Sequence, residues 1–173
     1  MLFGPIGKHA VLAFVLVLWS ASAASPQPGG LDEIARRYPT PERLAAFLKE
    51  RIVFKEDQQL FGTEDYWQQP EEFLNRGAGD CEDYALLAQE ILKRQGKEAF
   101  VLSLYGDENY AHTVCVFVEQ GCSHVINQDR VIRYGARSIE ELATDLYPRW
   151  KWAAIARRVC TRGQAIRKIT ARR

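Results

Sequence analysis

The segment GAGDCEDYALLAQ at residues 77–89 constrains the fold more than any other part of the chain. Two glycines lead into a run in which apolar residues recur at helical spacing, which predicts a central helix over 81–95 with one buried face. Asp80 is a suitable N-cap, so Cys81 falls in the first turn of this helix. Backbone N–H groups and the helix dipole favour an anion there, and they predict a lowered pKa for the thiol. The segment therefore indicates a nucleophilic cysteine at the start of a core helix.

The order of the other predicted elements indicates an α+β fold, with helices before an antiparallel sheet. Thr40 can cap a first helix that Pro41 begins, and Pro70 can begin a short second one. Strands are predicted downstream, at 98–105, 111–119 and 122–128. The last two are separated by a tight turn and form a hairpin. A helix opened by Ser138 follows the sheet.

Residues 1–24 predict a cleaved secretory signal peptide. Lys8 precedes an apolar run at 10–18, and small residues at cleavage-type spacing place the cut after Ala23 or Ala24. An uncleaved membrane anchor is the alternative, although the apolar run is short for a helix that spans a bilayer. We therefore expect a mature protein in the bacterial periplasm or outside the cell.

Charge is distributed unevenly along the mature chain. Residues 25–148, which we take as the folded domain, carry 13 basic and 22 acidic groups, whereas residues 149–173 carry nine basic groups and no acidic one. This basic extension either folds back on the acidic domain, which is the interpretation we favour, or binds an anionic surface or partner. An acidic, secreted domain argues against nucleic acid as a partner, and we expect a monomer.

Four cysteines lie in the mature chain: Cys81, Cys115, Cys122 and Cys160. In an oxidising compartment an even number of cysteines suggests disulfides. If Cys81 works as a thiol, the other three allow one bridge, from Cys160 to either Cys115 or Cys122. No pair of cysteines or histidines has the spacing of a zinc site, so zinc chemistry is not indicated.

A thiol nucleophile needs a base, and the mature chain contains two histidines, His112 and His124. A two-residue turn at Gln120–Gly121 sets the register of the predicted hairpin. In that register His112 shares one face with Asn127 and Asp129. His124 lies on the opposite face. His112 is therefore the better base, and either Asn127 or Asp129 can orient its ring.

Three carboxylates surround the predicted nucleophile: those of Asp80, Glu82 and Asp83. Their negative charge opposes a thiolate, so they need an explanation of their own. Asp80 and Asp83 can cap the helix reciprocally. Alternatively, the three side chains hold a calcium ion, whose charge would reverse their effect on the thiol.

The runs GAGDCEDYALLAQEILKRQG, AHTVCVFVEQG and HVINQ together resemble the bacterial transglutaminase-like cysteine proteinases, over roughly residues 55–135. The resemblance implies a papain-like or transglutaminase-like core, in which the catalytic cysteine begins a central helix packed on a small antiparallel sheet. It also implies that Cys81 is the nucleophile, His112 the general base and Asn127 the third member of the triad. Asn127 stands where the family usually has aspartate, as in Cys-His-Asn proteases.

Some members of this family are periplasmic, calcium-dependent proteases that cleave large surface adhesins. The resemblance therefore implies a calcium site at Asp80, Glu82 and Asp83, and a protein substrate such as an adhesin. Two other functions stay open. The same thiol chemistry serves a transglutaminase or deamidase that acts on glutamine side chains, and a non-catalytic binding module retains the fold without the reaction.

Overall fold

Helices precede the main sheet along the chain, as the sequence predicts for an α+β fold. The computed structural model describes residues 29–107, 110–156 and the backbone of 167–169. The predicted leader (1–24) and Cys160 lie outside the described residues. In chain order the elements are α1 (Leu31–Arg37), α2 (Pro41–Arg51), β1 (Val53–Phe54), α3 (Asp57–Phe61), α4 (Pro70–Arg76), β2 (Ala78–Gly79), α5 (Cys81–Arg94), β3 (Ala99–Tyr105), β4 (Ala111–Glu119), β5 (Cys122–Asn127), β6 (Arg130–Ala136), α6 (Ile139–Leu146), β7 (Trp152–Ala156) and β8 (Arg167–Ile169).

Six strands form the main sheet in the order β6–β5–β4–β3–β7–β8, and each neighbouring pair is antiparallel. The predicted register of the β4–β5 hairpin is confirmed, because Phe117 lies opposite His124. Gln120 and Gly121 form the turn and have φ angles of 52° and 76°. Two successive positive φ angles are typical of the two-residue turn whose twist matches that of the strands.

Helices cover both faces of the sheet, and alternation along β4 separates the two packing layers. Cys115 and Phe117 face the layer that contains α5 together with α1, α2 and α4. Val114 and Val116 face the second layer, where Leu142 of α6 is fully buried. The sheet therefore lies in the middle of the core, with the predicted central helix on one side of it.

The starts and ends of the helices follow the signals in the sequence. The Thr40 hydroxyl accepts a hydrogen bond from Arg43 N–H at 3.3 Å, and the Ser138 hydroxyl accepts one from Glu141 N–H at 3.1 Å. Gly77 ends α4 with a φ of 69°, in the left-handed region that favours glycine. The elements that the sequence did not predict are mostly short, and they include α1, α3, β1, β2 and β6.

The first part of the basic extension belongs to the main sheet. β7 pairs with β3, and four of its five residues are buried. Lys151, just before this strand, forms an ion pair with Asp107 at 3.3 Å. Residues 152–156 thus agree with the fold-back interpretation, whereas 157–166 lie outside the described residues. Among the helices of the described chain, none has both the length and the apolar character needed to cross a membrane.

Replacing Leu87 by alanine is expected to lower the free energy of unfolding by about 2–5 kcal/mol, because Leu87 is fully buried in α5 and its truncation leaves a cavity. Lys49→Ala, at an exposed position of α2, is the control and should change this energy by less than about 0.5 kcal/mol. Denaturant titration measures both variants. Equal effects of the two substitutions would contradict the central position of α5.

Candidate active site

The start of α5 follows Gly79 of β2, whose position has little room for a side chain. A Cβ atom at Gly79 would meet Asp83 Oδ2 at 2.1 Å and Gln68 Nε2 at 2.6 Å. The Gly79 carbonyl also accepts a hydrogen bond from Lys55 N–H at 2.9 Å, which joins β2 to the end of β1. This close packing places Cys81, half-buried, as the first residue of α5.

A buried glutamine holds the first turn of α5 in place. Gln68 is 0% exposed, and its backbone N–H and Nε2 donate to the two carboxylate oxygens of Asp83 at 2.8 and 2.6 Å. Gln68 Oε1 accepts a hydrogen bond from Arg76 Nε at 2.8 Å. Asp83 also accepts Asp80 N–H at 3.3 Å, as part of the predicted capping box. Both oxygens of Asp83 therefore already have donors.

The Cys81 thiol lies between carboxylates and strand β4. Its Sγ donates to Glu82 Oε2 at 3.2 Å. Burial, followed by the negative charge of Glu82, raises the pKa of the thiol, and a hydrogen bond from Thr113 N–H offsets only part of this rise. The lowered thiol pKa predicted from the helix start is therefore wrong when only the protein's own groups act on it, because burial and nearby carboxylates disfavour the thiolate.

His112 lies at the start of β4, next to the Thr113 peptide that contacts the thiol. Its Nε2 is 3.0 Å from Asn127 Oδ1. The Tyr110 ring is centred 6.5 Å from the His112 ring. Burial raises the pKa of Tyr110, and the charges of Tyr147 and Cys81 raise it further, so Tyr110 lies near the thiol as well as the imidazole. The structure thus brings Cys81, His112 and Asn127 to the same end of the sheet.

The other residues predicted near the base contact different partners. Asp129 Oδ1 lies 3.7 Å from Arg130 Nε. His124 Nδ1 accepts a hydrogen bond from Gly135 N–H at 3.2 Å, on the face that packs against Phe117. Of the two residues predicted to orient the His112 ring, Asn127 is therefore the one that forms a hydrogen bond with it.

Five carboxylates converge beside the thiol, and two of them were missed by sequence reasoning. Oxygens of Asp57, Asp80 and Asp83 lie within 4.8 Å of one another, and so do oxygens of Asp57, Asp65 and Glu82. Asp57 Oδ1 and Asp80 Oδ1 are buried and have no hydrogen-bond partner. Asp57 and Asp65 come from α3 and the loop after it. The only sequence signal for them is the acidic character of that segment.

This set of donors fits a hard divalent cation such as calcium. Every donor is a carboxylate oxygen, the ligand type that calcium prefers. Burial raises the pKa of Asp83 to about 6, and burial together with Asp80 raises the pKa of Glu82 well above its usual range. A cation held by these oxygens would relieve their mutual repulsion and would add positive charge beside the thiol.

In the presence of a chelator, the contribution of Asp83 to the free energy of unfolding is expected to fall as the pH rises from about 4 to about 7. The folded-state pKa of Asp83, about 6, is raised above its ordinary value of 3.8. Its stabilising contribution is therefore complete below the unfolded-state pKa and is lost as the pH rises through the folded-state pKa. Thermal unfolding with and without calcium measures this. If calcium leaves the decline of stability with rising pH unchanged, the result would contradict a cation bound at these carboxylates.

Residues 28–138 match the family of bacterial transglutaminase-like cysteine proteinases. No curated protein matches the chain. Similar solved structures include calcium-bound LapG of Legionella pneumophila, at 16% identity and a TM-score of 0.44, covering 82% of this chain and 69% of that chain. Its EGTA-treated form has 16% identity and a TM-score of 0.48, covering 78% and 75%. Because the family match spans well over half of its length, the chain belongs to the bacterial transglutaminase-like cysteine proteinases.

Proposed function

We propose that this protein is a periplasmic or secreted cysteine peptidase in which Cys81, His112 and Asn127 act together on a protein substrate. The observation that carries the proposal is the 3.0 Å contact between His112 Nε2 and Asn127 Oδ1, made beside the peptide that contacts the Cys81 sulfur. Because an amide oxygen accepts the Nε2 proton, Nδ1 is left free to act as the base. Membership of a cysteine proteinase family supports this chemistry.

The first half of the reaction transfers an acyl group to sulfur. His112 Nδ1 takes the thiol proton, and the Cys81 sulfur attacks the carbonyl carbon of a substrate amide. The backbone N–H of Cys81, at the start of α5, is a natural donor to the oxyanion that forms. When this intermediate collapses, the C–N bond breaks and His112 gives its proton to the leaving amine. The acyl group stays on sulfur as a thioester.

The second half of the reaction releases the acyl group to water. His112 accepts a proton from water while the oxygen adds to the thioester carbon, and the C–S bond then breaks. The proton returns to sulfur, which restores the thiol. The same imidazole nitrogen takes and gives protons in both halves, so the ring must keep one orientation. Asn127 supplies that orientation, although its neutral amide stabilises an imidazolium less than an aspartate would.

We further propose that the peptidase depends on calcium, held by carboxylates that include Asp80, Glu82 and Asp83. When bound there, the ion would supply positive charge that counters these carboxylates beside the thiol. The convergence of carboxylates and the two buried oxygens without partners support the proposal. The similar Legionella protein was solved in calcium-bound and EGTA-treated forms.

The proposed location and substrate rest on the sequence. The leader pattern at 1–24 supports export. An exported peptidase meets proteins of the cell surface, so we propose a surface protein, such as an adhesin, as the substrate. The basic extension beyond 156 is proposed to contact an anionic surface or partner.

Cys81→Ala is expected to abolish cleavage, because no other group replaces the sulfur, and His112→Ala should lower kcat by about 10²–10⁴-fold. Asn127→Asp should keep or raise kcat, whereas Asn127→Ala should lower it. The measurement is mass spectrometry of new amino termini in a bacterial surface-protein fraction, followed by kinetics on a cleaved peptide. His124→Ala is the matched control and should keep wild-type activity, because His124 contacts Gly135 and Phe117 rather than the His112–Asn127 pair. Equal losses in the two histidine variants would contradict the proposal.

Adding a biotinylated primary amine to the same assay separates peptidase from transglutaminase activity. The peptidase creates new amino termini and leaves glutamine side chains unlabelled. Amine incorporation without new termini would overturn hydrolysis as the reaction, while neither product would favour a binding module.

Chelation with EGTA is expected to lower the cleavage rate at least tenfold, roughly the effect of a mispositioned metal site. Calcium should restore the rate, whereas magnesium should not, because a crowded carboxylate set suits the larger and more flexible coordination of calcium. Steady-state rates at fixed ionic strength test this. A rate that is indifferent to chelation would contradict calcium dependence and leave the thiol chemistry standing.

A further inference from the structure

We propose that Asp57, from a segment distant in sequence, is a ligand of the cation, and that the cation thereby ties α3 to the start of α5. The inference rests on the calcium dependence proposed above. It extends the cation site beyond the carboxylates that flank Cys81, to a residue that precedes the thiol by more than 20 positions.

Asp57 is buried in a manner that its own hydrogen bonds do not explain. Its side chain is 1% exposed, although it belongs to a helix of only five residues. One oxygen, Oδ2, accepts the backbone N–H of Tyr66. The other oxygen, Oδ1, is buried and has no partner. A buried carboxylate oxygen without a donor or a cation is unfavourable, so this atom points to a ligand.

A second buried oxygen without a partner belongs to Asp80, the N-cap residue of α5. This atom is Asp80 Oδ1, and oxygens of Asp57 and Asp80 lie within 4.8 Å of each other. Asp65 and Glu82 place further oxygens at the same distance from Asp57. Two segments therefore bring carboxylate oxygens close together. A cation is the species that makes such an approach favourable.

Asp83 is less available to the cation than Asp57. Gln68 donates to both of its oxygens, at 2.8 and 2.6 Å, and Asp80 N–H is a third donor. We assign Asp83 mainly to positioning the turn before Cys81. Asp57 and Asp80 then supply the buried oxygens that have no donor of their own.

A cation bound in this way would couple the loop beside the thiol to the helix that carries it. Apart from Asp57, the contacts of segment 57–66 include rings, with Phe61 centred 4.4 Å from Tyr66 and Arg76 lying 4.6 Å above Phe61, and a hydrogen bond from the Tyr66 hydroxyl to Glu72 at 3.3 Å. Cation binding at Asp57 would fasten this segment against α5. Amide hydrogen exchange should therefore slow at 57–66 when calcium is added.

The test uses the full mature chain carrying Cys81→Ala, so that calcium binding is measured without cleavage. In a calorimetric titration, Asp57→Asn should raise the dissociation constant for calcium by about 10–100-fold. Asparagine keeps an acceptor for Tyr66 N–H, so the calcium-free unfolding temperature should be unchanged or higher. Glu64→Gln removes the same charge from an exposed position of the same loop and should change affinity less than twofold.

Hydrogen exchange provides the second readout. Calcium should slow amide hydrogen exchange at 57–66 in the Cys81→Ala protein and in the Glu64→Gln control. It should not slow this exchange in the Asp57→Asn variant. If Asp57→Asn lowers the calcium-free unfolding temperature, Asp57→Glu, which restores a carboxylate, should recover calcium affinity. If the Asp57→Asn variant binds calcium as tightly as the parent protein, the role of Asp57 is overturned, whereas the proposed calcium dependence stands. Absence of calcium binding in the parent protein would overturn this inference and the proposed calcium dependence, but not the thiol chemistry.

Discussion

The concentration of carboxylates at the first turn of α5 is the constraint on which the rest of the site depends. Asp80, Glu82 and Asp83 lie within one turn, and Asp57 joins them from another segment. Like charges at this spacing repel, and burial increases the free-energy cost of ionising them. The protein offsets part of this cost through Gln68, whose backbone N–H and side-chain Nε2 each donate to Asp83. The remaining unpartnered oxygens are those that a divalent cation would satisfy.

Two independently specified parts of the fold meet at the thiol. The capping box and the close packing at Gly79 place Cys81 at the start of α5. The tight turn between β4 and β5 sets the register that brings Asn127 within hydrogen-bond distance of His112. The side chains proposed to share one reaction are therefore positioned by different local rules. Strand β4 links them, because the Thr113 peptide follows His112 and contacts the Cys81 sulfur.

Much of the fold was predictable because it depends on residues close together in sequence. Thr40 and Ser138 cap helices within one turn, and Gln120–Gly121 determines the hairpin register. Contacts between distant segments left no such signal. Gln68 reaches Asp83 across 15 residues through two hydrogen bonds, which leave no periodicity to detect in the sequence. The roles of the proposed catalytic residues stay predictions, although the structure brings those residues together.

The thiol pKa shows why local reasoning failed at the centre of the site. A helix start favours an anion, and that effect can be read from Asp80 and Cys81. The extent of burial and the approach of Glu82 depend on the folded packing, and together they reverse the direction of the pKa shift. The sign of such a balance cannot be obtained from spacing in the sequence.

The pairing of Cys81 with His112 is tested most directly by the rate of iodoacetamide alkylation of each cysteine as a function of pH. Peptide mass spectrometry of the calcium-loaded, reduced protein resolves Cys81 from Cys122, which is half-buried, forms no disulfide among the described residues and serves as the internal reference. We predict that Cys81 reacts faster than Cys122 well below about pH 8, and that His112→Ala removes this advantage. Equal alkylation of the two cysteines at ordinary thiol pH, with or without His112, would contradict an activated thiol–imidazole pair.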